Sequence, residues 1–236
     1  MRLLLGSGGF RTEERITFLA QTMRTFFGDI DKLLFVPYAL HDHDGYITIL
    51  SDKGINAGYT LDGIHRYDDP RQAVRDAQAM FIGGGNSFRL LHHLYEKDLL
   101  EVIRERVRTG MPYMGVSAGS NVACPTIMTT NDMPITMPPS FEALNLFPWQ
   151  INPHYFNGHT YVKSNNEYHE HFGETRDERI QEFHELNDTT VLGLWEAGVL
   201  RWEAEQLSLT GAPVRIFRKG KEPMDVQPDT DLTDRL

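Results

Sequence analysis

Residues 112–120 read Pro112-Tyr113-Met114-Gly115-Val116-Ser117-Ala118-Gly119-Ser120. A short apolar run ends in G-x-S-x-G, and a helix-compatible stretch follows. In that context the serine stands on a tight strand-to-helix turn, where small neighbours let a strained backbone close. Its hydroxyl is presented at the carboxyl end of a sheet, and the amide of Ala118 points into the same space. The bare pattern is common by chance, and the competing reading is a helix start capped by Ser117. The predicted strand and helix around it favour catalysis.

Working upstream, short apolar runs alternate with amphipathic stretches. Leu3 to Leu5 reads as a buried strand closed by Gly6-Ser7-Gly8-Gly9, which lacks the third glycine of a dinucleotide fingerprint and is taken as a structural turn. Thr12 to Phe27 has helical spacing, with Ile16, Leu19, Ala20, Met23 and Phe27 on one face. Lys32 to Tyr38 predicts a second strand, Tyr46 to Tyr59 a helix, Leu61 to His65 a weaker strand, and Pro70 opens a short helix. Ala79 to Ile82 runs as a strand into Gly83-Gly84-Gly85-Asn86, and helices follow from Ser87 and over Leu99 to Thr109. This order implies βαβ units, hence an α/β three-layer sandwich: a mostly parallel sheet with helices on both faces.

Downstream the pattern is less regular. Asn131 to Asn157 is rich in proline and aromatics and reads as ordered loops at the sheet edge, and Asn157 to Gly173 as an exposed loop. Arg176 to Glu185 predicts a helix. Val191 to Trp195, Leu200 to Trp202, Gln206 to Leu209 and Val214 to Arg218 predict closing antiparallel strands. The charged, proline-bearing tail from Glu222 is expected to fray. With no repeat or linker evident, residues 1–236 are read as one domain.

The bulk numbers narrow the function. A chain of 236 residues, 40% hydrophobic and 24% charged, supports a full core. A net charge of −10 opposes phosphate backbones and anionic lipid, so nucleic acid and membrane surfaces are not expected partners. The apolar run Leu3–Leu5 is too short for a signal-peptide core, and no stretch of ~18 apolar residues predicts a membrane span. A single cysteine, Cys124, fits a reducing compartment, so a cytoplasmic location is expected.

A serine hydroxyl needs a base and an oxyanion hole. The amides of Gly83-Gly84-Gly85 can turn toward a ligand, and Gly85 is followed by Asn86 rather than the Lys-Ser/Thr of a phosphate-binding loop. Of ten histidines, His154 stands out, at the end of the strand-like run Ile151-Asn152-Pro153-His154. His159, His169 and His171 lack the cysteine pair or H-E-x-x-H of a zinc site, and no metal is expected. Two acids could orient the imidazole: Asp132 and Glu196. Spacing leaves both open, although the short stretch from Asp132 to His154 is cramped for an α/β-hydrolase order, which favours Glu196.

Together these residues resemble the peptidase E family of aspartyl dipeptidases. The match is carried by Ser117-Ala118-Gly119 with Asn121, by Ala123-Cys124-Pro125-Thr126-Ile127, by Thr129 to Ile135 and by Gln150 to His154. Gly83 to Asn86, Gly173-Glu174-Thr175-Arg176 and Gly193-Leu194-Trp195-Glu196 follow the same family in the same order. The resemblance implies a class I glutamine amidotransferase-like fold and a triad of Ser117, His154 and Glu196. It places the oxyanion hole on the amides of Gly85 and Ala118, with no cofactor. It implies cleavage of Asp-X dipeptides and short peptides with amino-terminal aspartate; a monomer or homodimer is expected.

Arg176 is the expected cation for the substrate carboxylate, with Asn86 and Ser87 as further pocket contacts, and Asp132 becomes a structural or pocket-shaping residue. Two departures stand out: Ser120 where a smaller alanine is expected, and a long segment from Tyr155 to Phe172. The alternatives are a cyanophycinase-like or isoaspartyl peptidase acting on β-aspartyl links, or a binding relative without turnover. A cysteine-dependent amidotransferase relative is disfavoured, because the elbow carries serine.

Overall fold

The structure is a computed structural model that describes all of residues 1–236. Its first half runs β1 (Arg2–Gly6), α1 (Glu13–Phe27), β2 (Lys32–Val36), α2 (His43–Asp52), β3 (Thr60–Gly63), α3 (Pro70–Asp76), β4 (Met80–Ile82), α4 (Ser87–Glu96), α5 (Leu100–Arg108), β5 (Tyr113–Val116) and α6 (Ala118–Ala123). The second half holds β6 (Gln150–Tyr155), β7 (Tyr161–Ser164), β8 (Glu167–Glu170), α7 (Arg176–Leu186), β9 (Val191–Trp195), β10 (Val199–Glu203), β11 (Gln206–Thr210), β12 (Val214–Phe217), β13 (Met224–Val226) and β14 (Thr230–Asp231). An eight-stranded sheet has the order β14-β11-β10-β1-β5-β4-β2-β3. From β1 to β3 its pairings are parallel, and from β1 outward to β14 they are antiparallel.

Strand alternation sorts the core into two faces. Leu4, Leu33, Phe35, Phe81 and Met114 point to one side, where they meet Leu19, Met23 and Phe26 of α1 and Leu50 of α2. Leu3, Leu5, Leu34, Val36 and Ile82 point to the other, onto Leu90 and Leu94 of α4 and Ile103 of α5. The parallel strands are buried on both faces, which is why they read as continuous apolar runs. That second face also receives Ile151, Leu192 and Leu194 from a four-stranded sheet of order β13-β12-β9-β6. The chain changes sheets between β9 and β10, and this crossing later positions a key carboxylate.

Four expectations need correction. The helix expected over residues 46–59 is α2, which starts earlier because Asp42 caps it, its Oδ1 accepting from the amide of Gly45 at 2.9 Å. It stops at Asp52 because Gly54, Ala57 and Gly58 all take positive φ, which no continuing helix allows. The segment 131–157 is not loop throughout, since Gln150–Tyr155 is β6 of the smaller sheet. Likewise 157–173 contains the antiparallel hairpin β7–β8, exposed on every residue of both strands.

The tail does not fray. Val226 and Leu232 are buried, β13 pairs with β12, and β14 pairs with β11. Arg215 of β12 donates to both carboxylate oxygens of Asp225 in β13, at 2.5 and 2.7 Å. The guanidinium holds the Asp225 carboxyl below its ordinary pKa. A depressed carboxylate pKa stabilises the fold above the unfolded value, and that contribution is lost as pH falls through the folded one. Asp225→Asn should therefore lower the Tm at pH 7 by about 2 °C, with the gap to wild type closing below about pH 4. Thermal melts of both proteins from pH 7 to pH 3 check this, and a gap that ignores pH contradicts the pairing.

Candidate active site

Ser117 sits between β5 and α6 with φ 55° and ψ −111°, a conformation that L-residues rarely adopt. The flanking glycines make the turn possible. A Cβ on Gly115 would stand 2.3 Å from the carbonyl oxygen of Gly119, and one on Gly119 would stand 2.2 Å from that of Ile82. The amide of Ser117 donates to the carbonyl of Gly6 at 2.9 Å, which anchors the elbow to β1. Ser120, the departure at the elbow, is fully buried. Its hydroxyl lies 2.8 Å from the Gly6 carbonyl and 2.9 Å from that of Gly115, so it braces the turn from behind rather than altering access.

His154 and Glu196 converge on this serine. The Oγ of Ser117 lies 2.8 Å from Nε2 of His154, and Oε1 of Glu196 lies 2.8 Å from its Nδ1. With Nδ1 protonated and donating to the carboxylate, Nε2 is free to accept the serine proton. His154 occupies an irregularity in the β6–β9 pairing, with φ 52°. Its amide donates to Oγ of Ser7 at 2.8 Å, while that buried hydroxyl donates to the carbonyl of Leu194 at 2.8 Å. Glu196 lies where the chain leaves β9 for β10, and the neighbouring Ala197 amide donates to the Gly8 carbonyl at 2.7 Å.

Gly8 and Gly9 are thus part of the site, not only a turn. A Cβ on Gly8 would stand 2.5 Å from Cε1 of His154, and one on Gly9 would stand 1.7 Å from Oε2 of Glu196. Reading 6–9 as a turn missed this, because the signal lies in what packs against the glycines and not in the glycine pattern.

The other expected residues divide clearly. Gly85 has φ 134°, and a Cβ there would meet the Ala39 carbonyl at 2.6 Å. Neither the Gly85 nor the Ala118 amide donates to a backbone acceptor among the loop, turn and cap bonds, so both remain available beside Ser117. The Asn86 side chain makes bonds within the protein from both of its polar atoms. Its Oδ1 caps α4 through the Arg89 amide at 3.0 Å, and its Nδ2 donates to the Met133 carbonyl at 2.8 Å. Ser87 is fully buried, and its hydroxyl donates to Asp132 at 2.8 Å. Both were expected as pocket contacts, and both are committed to holding the start of α4. Asp132 also accepts from the Ser87 amide at 2.7 Å and from Thr130 at 3.0 Å, so it is a structural clamp and not the orienting acid.

Arg176 opens α7, and no carboxylate lies within ion-pair reach of it among the salt bridges of the chain. Its Nε is buried without a partner, its guanidinium stacks over Phe156 at 5.7 Å, and burial lowers its pKa. A contact network ties it to the base: Tyr155, beside His154, donates to Asp177, beside Arg176, and Arg215 donates to the same carboxylate at 2.9 Å. The Cys124 thiol is buried and pushed up to about 12 by desolvation, which disfavours thiolate chemistry. On the exposed hairpin, His159 pairs with Glu170 at 2.6 Å. No helix is long and apolar enough to cross a membrane.

A strained serine with an imidazole and a carboxylate in line is the arrangement of a serine-type hydrolase. The chain belongs to peptidase family S51, which it matches over residues 2–210. It is 44% identical over 243 residues to peptidase E of Streptomyces coelicolor, covering 100% of this chain and 95% of that protein. It is 45% identical over 207 residues to a Drosophila melanogaster protein named "Probable alpha-aspartyl dipeptidase", covering 87% and 83% respectively. Among solved structures, a peptidase from an acI-B1 actinobacterium shares the fold at a TM-score of 0.66 and 17% identity, covering 98% of this chain and 95% of that one. The chain is therefore a serine-type peptidase.

Gly9→Ala tests the packing around the carboxylate. A methyl group at φ 74° and 1.7 Å from Oε2 must displace Glu196. Displacement of this size should lower kcat about a hundredfold, with a smaller change in KM. Steady-state kinetics on an aspartyl dipeptide check this, and an unchanged kcat contradicts the assigned contact.

Proposed function

We propose that this peptidase removes amino-terminal aspartate from Asp-X dipeptides and short peptides through a Ser117–His154–Glu196 triad. The observation that carries the proposal is the pair of 2.8 Å contacts to the two nitrogens of His154, one from each partner. Ser117 Oγ attacks the aspartyl carbonyl carbon as its proton passes to Nε2 of His154. The carbonyl oxygen becomes an oxyanion held by the amides of Gly85 and Ala118. Collapse breaks the C–N bond, and His154 returns the proton to the departing amine. Water then attacks the acyl-serine with His154 again as base, which releases aspartate and restores the hydroxyl. Glu196 orients the imidazole and stabilises its cationic form.

Selection for aspartate falls to Arg176. In a chain of net charge −10, a half-buried guanidinium without a carboxylate partner is an unfilled anion site, and the Tyr155–Asp177 contact links its neighbour in the chain to that of the base. A carboxylate seated there restores the solvation that burial removed. The name of the Drosophila relative supports the same α-aspartyl preference. A cytoplasmic location is supported by the lone, buried thiol.

Hydrolysis of Asp-Leu, Glu-Leu, Asn-Leu and β-Asp-Leu tests this, with wild type and Ser117→Ala side by side. Wild type should prefer Asp-Leu, and Ser117→Ala should lose on the order of 10⁴-fold or more in kcat. Activity confined to β-Asp-Leu would move the protein to β-aspartyl links. Full activity in Ser117→Ala would refute the nucleophile.

A further inference from the structure

A cleft of about 590 Å³ opens from the reacting centre, with Ser117, His154 and Gly85 in its wall. Its lining reaches the start of α1 and the end of α2 and does not include Arg176. His154 must deliver a proton to the leaving amine, so whatever follows the scissile bond extends along the imidazole's free side. Gly8 packs against the His154 ring, and the same lining continues through Gly9 to Arg11.

The chemistry of the walls is specific. The chain carries 33 acidic side chains, and none of them lines this cleft. Two cations do, Arg11 from the loop before α1 and Lys53 from the cap of α2. Neither has an ion-pair partner anywhere in the chain, whereas Lys32, Arg66, Arg104 and Arg215 all do. The same lining includes an apolar wall of Ile16, Ile49 and Ile55, and Ile49 remains 51% exposed. Apolar surface left uncovered beside a reacting centre is available to a substrate side chain.

We infer that this cleft is the subsite for the leaving residue, in which Arg11 and Lys53 hold its terminal carboxylate and the isoleucine wall takes an apolar side chain. The inference rests on the proposed aspartyl peptidase reading and extends it. One end of the substrate is read by Arg176 and the other by Arg11 and Lys53, which makes a dipeptide with a free carboxyl group the fitting length. A longer peptide carries its carboxylate past the two cations and leaves them unfilled. Both cations are exposed, so screening moderates their effect and the recognition weakens as salt rises.

The test compares kcat/KM for Asp-Leu with that for Asp-Leu-amide, in wild type and in Arg11→Gln/Lys53→Gln. Wild type should favour the free carboxylate about tenfold or more, and the double variant should bring the ratio close to one. A general folding defect lowers both substrates together, so the ratio isolates the subsite. The wild-type preference should also shrink between low and high salt. A wild-type ratio near one, or a ratio unchanged by the double substitution, would overturn the assignment. Equal losses on both substrates leave the ratio unchanged and overturn it in the same way. Cleavage of neither substrate by wild type would refute the aspartyl specificity, and the subsite with it.

Discussion

The turn from Gly6 to Gly9 carries the assembly of the site. Its four residues touch the elements that bear all three reacting side chains. The Gly6 carbonyl accepts the amide of Ser117, the Ser7 hydroxyl accepts the amide of His154, and the Gly8 carbonyl accepts the amide of Ala197 next to Glu196. The Ser7 amide closes the ring by donating to the Gly198 carbonyl at 2.9 Å. Serine, histidine and carboxylate come from different strands of two different sheets, and this turn is where those sheets meet. Each bond is modest by itself. Their combined effect is to fix three elements against one rigid reference, as hydrogen-bond reach across a triad requires.

Two of the reacting residues also carry unusual backbone conformations. Ser117 and His154 both hold positive φ, and neither has a side chain that makes such a conformation easy. Each is pinned through its own amide: Ser117 to Gly6, and His154 to Ser7. Close approach accounts for the glycines around them, because side chains at 8 or 9 would overlap the reacting groups, one at 115 the elbow backbone, and one at 119 the Ile82 carbonyl of β4. Ser120 belongs to the same logic, since its buried hydroxyl ties the elbow to the Gly6 and Gly115 carbonyls.

The parallel half of the fold was legible because strands buried on both faces leave uninterrupted apolar runs. Leu3–Leu5, Leu33–Val36 and Met80–Ile82 are examples, each ending in a turn. The elbow was legible for a local reason: its glycines and serine are contiguous. His154 and Glu196 were harder, because a lone histidine or glutamate has no periodicity, and the choice between Glu196 and Asp132 came from family resemblance. The proximity of Asn86 and Ser87 to Gly85 suggests a pocket, whereas Asn86 caps α4 and the buried Ser87 hydroxyl bonds Asp132. The ordered tail escaped notice because two apolar anchors, Val226 and Leu232, are hidden among charges and prolines. The role of Ser7 was not legible at all, since its partners lie 147 and 187 positions away in the chain.

The central claim is that this geometry makes one hydroxyl nucleophilic. Labelling with a serine-reactive phosphonate bearing an aspartyl side chain, followed by peptide mass spectrometry, tests it most directly. A single adduct on Ser117, formed about a hundredfold or more slowly in His154→Ala, is the result the account predicts. An adduct on another residue, or labelling of Ser117 at an undiminished rate without His154, would contradict it.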